Sequence, residues 1–68
     1  MKLKMKSSNL SEIDYEPTTK TLIVNFHSGG SYKYVNVLMP TISELIVSES
    51  QGKYFNQNIK GKYGESKI

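Results

Sequence analysis

TLIVNFHSGGSYKYVNV, residues 21–37, decides how this chain folds. Leu22, Val24 and Phe26 recur at every second position, the pattern of a strand with one buried face. Ser28-Gly29-Gly30 follows, and glycine reaches positive φ without the steric cost of a Cβ, so a tight reversal is expected there. Tyr32 and Tyr34 then repeat the alternation. With a three-residue loop, Phe26 is expected opposite Tyr32, Val24 opposite Tyr34 and Leu22 opposite Asn36, which builds one aromatic and aliphatic face. A two-residue loop would turn the tyrosines over; the first register is preferred because it keeps Lys33 opposite Asn25, outside the core.

That register puts Ile23, Val35 and Val37 together on the opposite face. Apolar side chains on both sides of a sheet imply that the second side is covered. The expected cover is another copy of the chain, with Ile23, Val35 and Val37 as a homo-oligomer interface. The alternative is that the leading MKLKMK segment or a loop folds over them.

Upstream, LSEIDY (residues 10–15) sets Ile13 and Tyr15 against Glu12 and Asp14, a half-buried strand, and EPTTK forms the turn that joins it to the next. Residues 1–7 fit either a flexible tail or a short edge strand. Downstream, Pro40 suits the first turn of a helix whose Ile42, Leu45 and Ile46 form a core-facing stripe. Ser50 can cap a second helix, with Phe55, Ile59 and Tyr63 at four-residue intervals and Gly61 as terminator. The expected fold is α+β: a three-stranded antiparallel meander followed by two short helices packed on one face, in a single domain over residues 1–68 with residues 64–68 frayed.

Composition narrows the functions. A chain of 68 residues is near the lower limit for a self-sufficient core, and without cysteine neither disulfides nor thiolate metal sites can supplement it. No apolar run approaches a membrane span, and the leading segment lacks the apolar stretch of a signal peptide, so a soluble cytoplasmic protein is expected. The nine basic residues are all lysine and the net charge is +3, a small basic protein that favours anionic partners. Without arginine the bidentate fork that reads guanine in duplex DNA is missing, so sequence-specific DNA binding is not expected.

Residues 7–63, and above all the tyrosine pair in Tyr32-Lys33-Tyr34 and the set Ser50, Gly52, Tyr54, Phe55, Asn56 and Ile59, resemble the KTSC domain, a small module found at the carboxy end of some lysyl-tRNA synthetases. One departure is visible: the family usually carries proline soon after the third strand, where this chain has Leu38, and here Pro40 comes later. The synthetase context of the family implies RNA or tRNA binding. Stand-alone copies occur in bacteria and their phages, and for a phage-borne copy the sequestration of a nucleotide signal is a further reading.

Catalysis is not expected. His27 is the only histidine and flanks a turn, no serine lies in a nucleophile-elbow setting, and Gly29-Gly30 lacks the lysine and hydroxyl of a phosphate-gripping loop. Neither a metal nor a cofactor is called for. Binding is easier to build: the first amides of a helix starting near Ser50 have no partner inside it and suit a phosphate beside Lys53. Tyr54 could stack on a base at a rim, and Asn56 and Asn58 could read base edges or satisfy nearby backbone. The candidate ligand-binding set is Lys53, Tyr54, Asn56, Asn58, Lys60, Lys62 and Tyr34. The leading expectation is a non-enzymatic nucleotide-binding protein acting as a homo-oligomeric sponge. An RNA- or tRNA-binding module and a protein-interaction module docking through the apolar sheet face are the alternatives.

Overall fold

A computed structural model describes residues 1–68. Alternation carries four strands in the first half of the chain: β1 (Lys2–Lys4), β2 (Leu10–Glu16), β3 (Thr21–Phe26) and β4 (Ser31–Val35). Two helices follow, α1 (Met39–Val47) and α2 (Gln51–Asn58), and a last strand, β5 (Gly64–Lys67), returns to pair with β4. The sheet is antiparallel throughout, in the order β1-β2-β3-β4-β5. The class is the α+β expected, but the meander has five strands and not three. Residues 64–68, expected to fray, contribute the fifth, and the leading segment is an edge strand whose Leu3 and Met5 pack against the core.

The reversal between β3 and β4 is three residues long, as expected, yet it sits one position earlier. His27-Ser28-Gly29 makes the turn: the Phe26 amide donates to the Gly30 carbonyl at 2.9 Å and Gly29 takes φ +102°. Leu22 therefore pairs with Tyr34 and Val24 with Tyr32, two residues away from the expected register. A shift of two preserves side-chain parity. Leu22, Val24 and Tyr34 are buried, with Phe26 and Tyr32 half-buried on the same face.

Two breaks in alternation complete the core. Leu10 and Ile13 are three positions apart, so a regular strand would separate them across the sheet. A bulge between Leu10 and Glu12 removes the mismatch, and both side chains are buried. Val37 shares the parity of the outward-facing Val35, but Asn36 adopts φ +62°, and Val37 turns under the sheet into the core. Its amide donates to the Lys20 carbonyl at 2.9 Å, and its carbonyl accepts the buried Tyr15 hydroxyl at 2.5 Å.

The supposed oligomer face is corrected accordingly. Val37 is a core residue, so only Ile23 and Val35 remain outside, both half-buried. Ile23 lies between Asp14 on β2 and Lys33 on β4, while Lys2 and Lys4 lie opposite Asp14 and Glu12. This face is laced with charge.

Proline stands in the first turn of α1, as expected, and Ile42 and Leu45 are buried, whereas Ile46 is 36% exposed. From α2, Phe55 and the capping Ile59 close the core; Tyr63, beyond the helix, packs at its margin. Gly61 takes φ +75° just after the helix and turns the chain toward β5. Replacing Tyr15 by Phe should cost about 1–3 kcal/mol, because the buried Val37 carbonyl loses its partner. Urea denaturation of the two proteins measures the difference.

Candidate functional site

Residues 6–9 bend sharply between β1 and β2, and the bend is tied down from three directions. The Ser7 hydroxyl accepts the amides of Asn9 and Leu10, each at 3.1 Å, and the Ser7 carbonyl lies 3.0 Å from the His27 ring nitrogen Nε2. Gln51, the one buried polar residue, supplies the third tie: its Oε1 accepts the Lys6 amide at 2.5 Å and its Nε2 donates to the Ile46 carbonyl at 3.1 Å. One side chain thus joins the bend to both helices. Gly52 permits the close approach, since a Cβ there would stand 3.2 Å from the Ser7 hydroxyl.

Between this bend and the start of α2 lies an all-polar cleft of about 510 Å³. Lys6, Ser8 and Asn9 line one side, and Ser50, Lys53, Asn56 and Gln57 the other, with Glu49 at the helix entrance. Ser50 caps the helix as expected, its hydroxyl accepting the Lys53 amide at 3.4 Å. The amides of Gln51 and Gly52 have no acceptor within the helix.

A second concavity adjoins the first. Phe26, Tyr32, Tyr34 and Phe55 wall a slot of about 130 Å³, with Asn9, Asn56, Lys60 and Glu65 at its rim. Its rings meet edge to face in a chain, Tyr32 to Phe26 at 5.9 Å, Phe26 to Phe55 at 5.7 Å and Phe55 to Tyr34 at 5.6 Å. Burial, and then the Glu65 carboxylate beside it, pushes the Tyr34 hydroxyl well above the usual tyrosine range. That phenol stays protonated. Asn9 and Asn56 border both concavities, and neither side-chain amide is hydrogen-bonded to the protein.

Of the candidate residues, Lys53 and Asn56 line the cleft, and Asn56, Lys60 and Tyr34 the slot. Tyr54 borders a shallow hollow beside Ser50, Lys53 and Gln57, and Asn58 and Lys62 stand apart. The Tyr54 hydroxyl donates to Glu44 Oε1 at 3.1 Å, bracing α2 against α1; partial burial and this bond raise its pKa. Asn58 Nδ2 donates to the Tyr54 carbonyl at 3.1 Å within its own helix, and Lys62 is exposed in the turn beyond. Sequence reasoning missed Lys6, Asn9, Gln51 and Glu65. The Ser7-Ser8-Asn9 cluster is a recognisable turn signal, but nothing local marks Gln51 as buried or β5 as a strand.

No three His, Asp or Glu side chains are grouped to hold a metal ion, and no helix is long and apolar enough to cross a membrane. Residues 6–63 match the KTSC domain. A lysine–tRNA ligase of Trichormus variabilis is 43% identical over 61 residues, which is 90% of this chain and 11% of the ligase. The chain therefore spans about a tenth of the length of the ligases it matches. An uncharacterized protein of Stutzerimonas stutzeri is 34% identical over 59 residues, covering 87% of this chain and 83% of that protein. The crystal structure of a KTSC domain protein from Yersinia pestis superposes with a TM-score of 0.94 at 29% identity, covering all of this chain and 96% of the other.

The two kinds of amide at this site should separate on mutation. Gln51→Ala should cost about 1–3 kcal/mol by leaving the Lys6 amide and the Ile46 carbonyl without partners. Asn56→Ala should stay within about 0.5 kcal/mol of the parent. Thermal and chemical denaturation of both variants checks the contrast.

Proposed function

This chain belongs to the KTSC domain family, and from that premise we propose that it is a non-enzymatic RNA-binding module that seats a single strand across the head of α2. The observation that carries the reading is that a lysine-bearing polar cleft and an aromatic slot adjoin, with Asn9 and Asn56 lining both. A nucleotide has that same division: an anionic phosphate, then a flat ring with hydrogen-bonding edges. Lys6 and Lys53 supply mobile positive charge, and the free amides at the start of α2 add oriented donors. Both hollows are open at the surface, which suits a strand that enters and leaves. The synthetase relatives support the same reading, since a domain joined to a tRNA ligase works beside RNA.

Sequestration of a free nucleotide draws on the same chemistry. The oligomeric sponge and the docking module, however, both need an apolar outer sheet face, and Ile23 and Val35 sit there among charges. RNA binding needs no such face and is the stronger reading.

Salt decides between them. Binding of a labelled single-stranded RNA should weaken with salt by a log–log slope of about −0.7 per phosphate contacted. A Lys6→Ala, Lys53→Ala double variant should flatten that slope by about 1.4. Fluorescence anisotropy at several salt concentrations measures both. An unchanged slope would remove the cleft from the binding surface, and salt-insensitive capture of a mononucleotide by a multimer would favour sequestration.

A further inference from the structure

The aromatic slot is too small for a whole nucleotide: about 130 Å³, against ~300–1,000 Å³ for pockets that take drug-sized ligands. One ring system fills it. Its walls are unusual for so small a protein, because Phe26 and Tyr32 remain half-buried although they lie on the core face of the sheet. The helices leave that corner uncovered, and ring surface is open to the slot. The rim carries charges of opposite sign, Lys60 from the turn after α2 and Glu65 from β5, and these two form no ion pair with each other. Tyr34 pairs with Glu65 across β4 and β5, its ring is buried, and its hydroxyl stands beside the carboxylate.

A carboxylate only accepts, and its two oxygens accept in parallel. Among the four RNA bases, guanine alone presents two adjacent donors on one edge, N1–H and N2–H. Its O6 and N7 are acceptors that suit a lysine ammonium. Adenine and cytosine place an acceptor next to their amino group, and uracil flanks its single N–H with two carbonyls; each would set a lone pair against Glu65. We propose that the slot seats one unstacked guanine, its N1–H and N2–H groups donating to Glu65, its O6 or N7 accepting from Lys60, and its ring stacked against Tyr32. This deepens the RNA-binding reading and rests on it, with the base in the slot and the adjoining phosphate in the cleft.

Two measurements test the proposal separately from the RNA reading. Guanosine, which has no phosphate, should shift the NMR resonances of the Tyr32 ring and of the Asn9 and Asn56 side-chain amides, and adenosine should not. The pentaribonucleotide UUGUU should bind about tenfold more tightly than UUUUU, and Glu65→Gln should reduce that preference to about threefold or less. Because Glu65 is exposed on an edge strand, the variant should fold even if Tyr32→Ala does not. Equal, salt-dependent binding of both pentamers would overturn the slot assignment while sparing RNA binding, as would a guanine preference that survives Glu65→Gln. Guanosine shifts at the slot with no strand bound would do the reverse, sparing the base site as one for a free guanine nucleotide.

Discussion

A sheet built from 68 residues can be covered on one side only, and that limit governs where every large apolar side chain must go. Strict alternation would have stranded Leu10 and Val37 on the open side. The bulge in β2 and the left-handed Asn36 each reverse the parity of the chain once, and each brings one more aliphatic side chain beneath the sheet. Burying such a side chain is worth about 1.5–3 kcal/mol, and asparagine is among the residues that enter the left-handed region at least cost. Packing decides the backbone here. The Tyr15 hydroxyl then fixes the result by bonding the Val37 carbonyl, so the strand end beyond Asn36 has one place to go.

The second constraint is how two helices of nine and eight residues are held to that sheet. Apolar contacts come from Ile42, Leu45, Phe55 and Ile59, and polar ties from Gln51 at the opposite end of α2 from Ile59. Gln51 satisfies backbone groups on either side, as a buried amide must. Ser7 spends its oxygen on the bend itself and so does not reach the helix amides. The head of α2 is thereby positioned by polar ties but left open, and the cleft follows from that arrangement. Fold and site share residues, and the close approach of Gly52 to Ser7 is the point at which they meet.

The central strands, the proline-led first helix and the Ser50 cap were legible because each rests on a local signal: alternation, a preset φ, a side chain that competes for helix amides. The parity of the core face was legible for the same reason, and it survived an error of two residues in register. What was not legible depends on distant partners. Ile23, Val35 and Val37 look alike in a strand pattern, and only the conformation of Asn36, set by the Lys20 carbonyl and Tyr15, separates the third from the others. The spacing that sets Tyr54 at a rim gives no sign that Glu44 stands 3.1 Å from its hydroxyl. Gly64–Lys67 carries no strand signal at all, since it is exposed throughout and held by the edge of β4. The site suffers most from this, because Glu65 arrives through that pairing and Asn9 through the bend.

Charge placement ties these points to function. On the outer face of the sheet Lys2, Lys4 and Lys33 lie among Glu12, Asp14 and Glu16, three of each sign, so that face is neutral. The whole surplus of +3 therefore resides elsewhere. On the helix side Lys6, Lys53, Lys60 and Lys62 surround α2 and its flanking turns, interspersed with Glu44, Glu49 and Glu65. An anion approaching at physiological salt feels charges only within about 8 Å, so a local excess matters more than the total. Lys6, Lys53 and Lys60 lie beside two open hollows, one lined with amides and hydroxyls and the other with rings. The proposed attraction of a polyanion and the proposed recognition of its bases would then fall to adjoining parts of one surface, and neither would draw on the balanced face of the sheet.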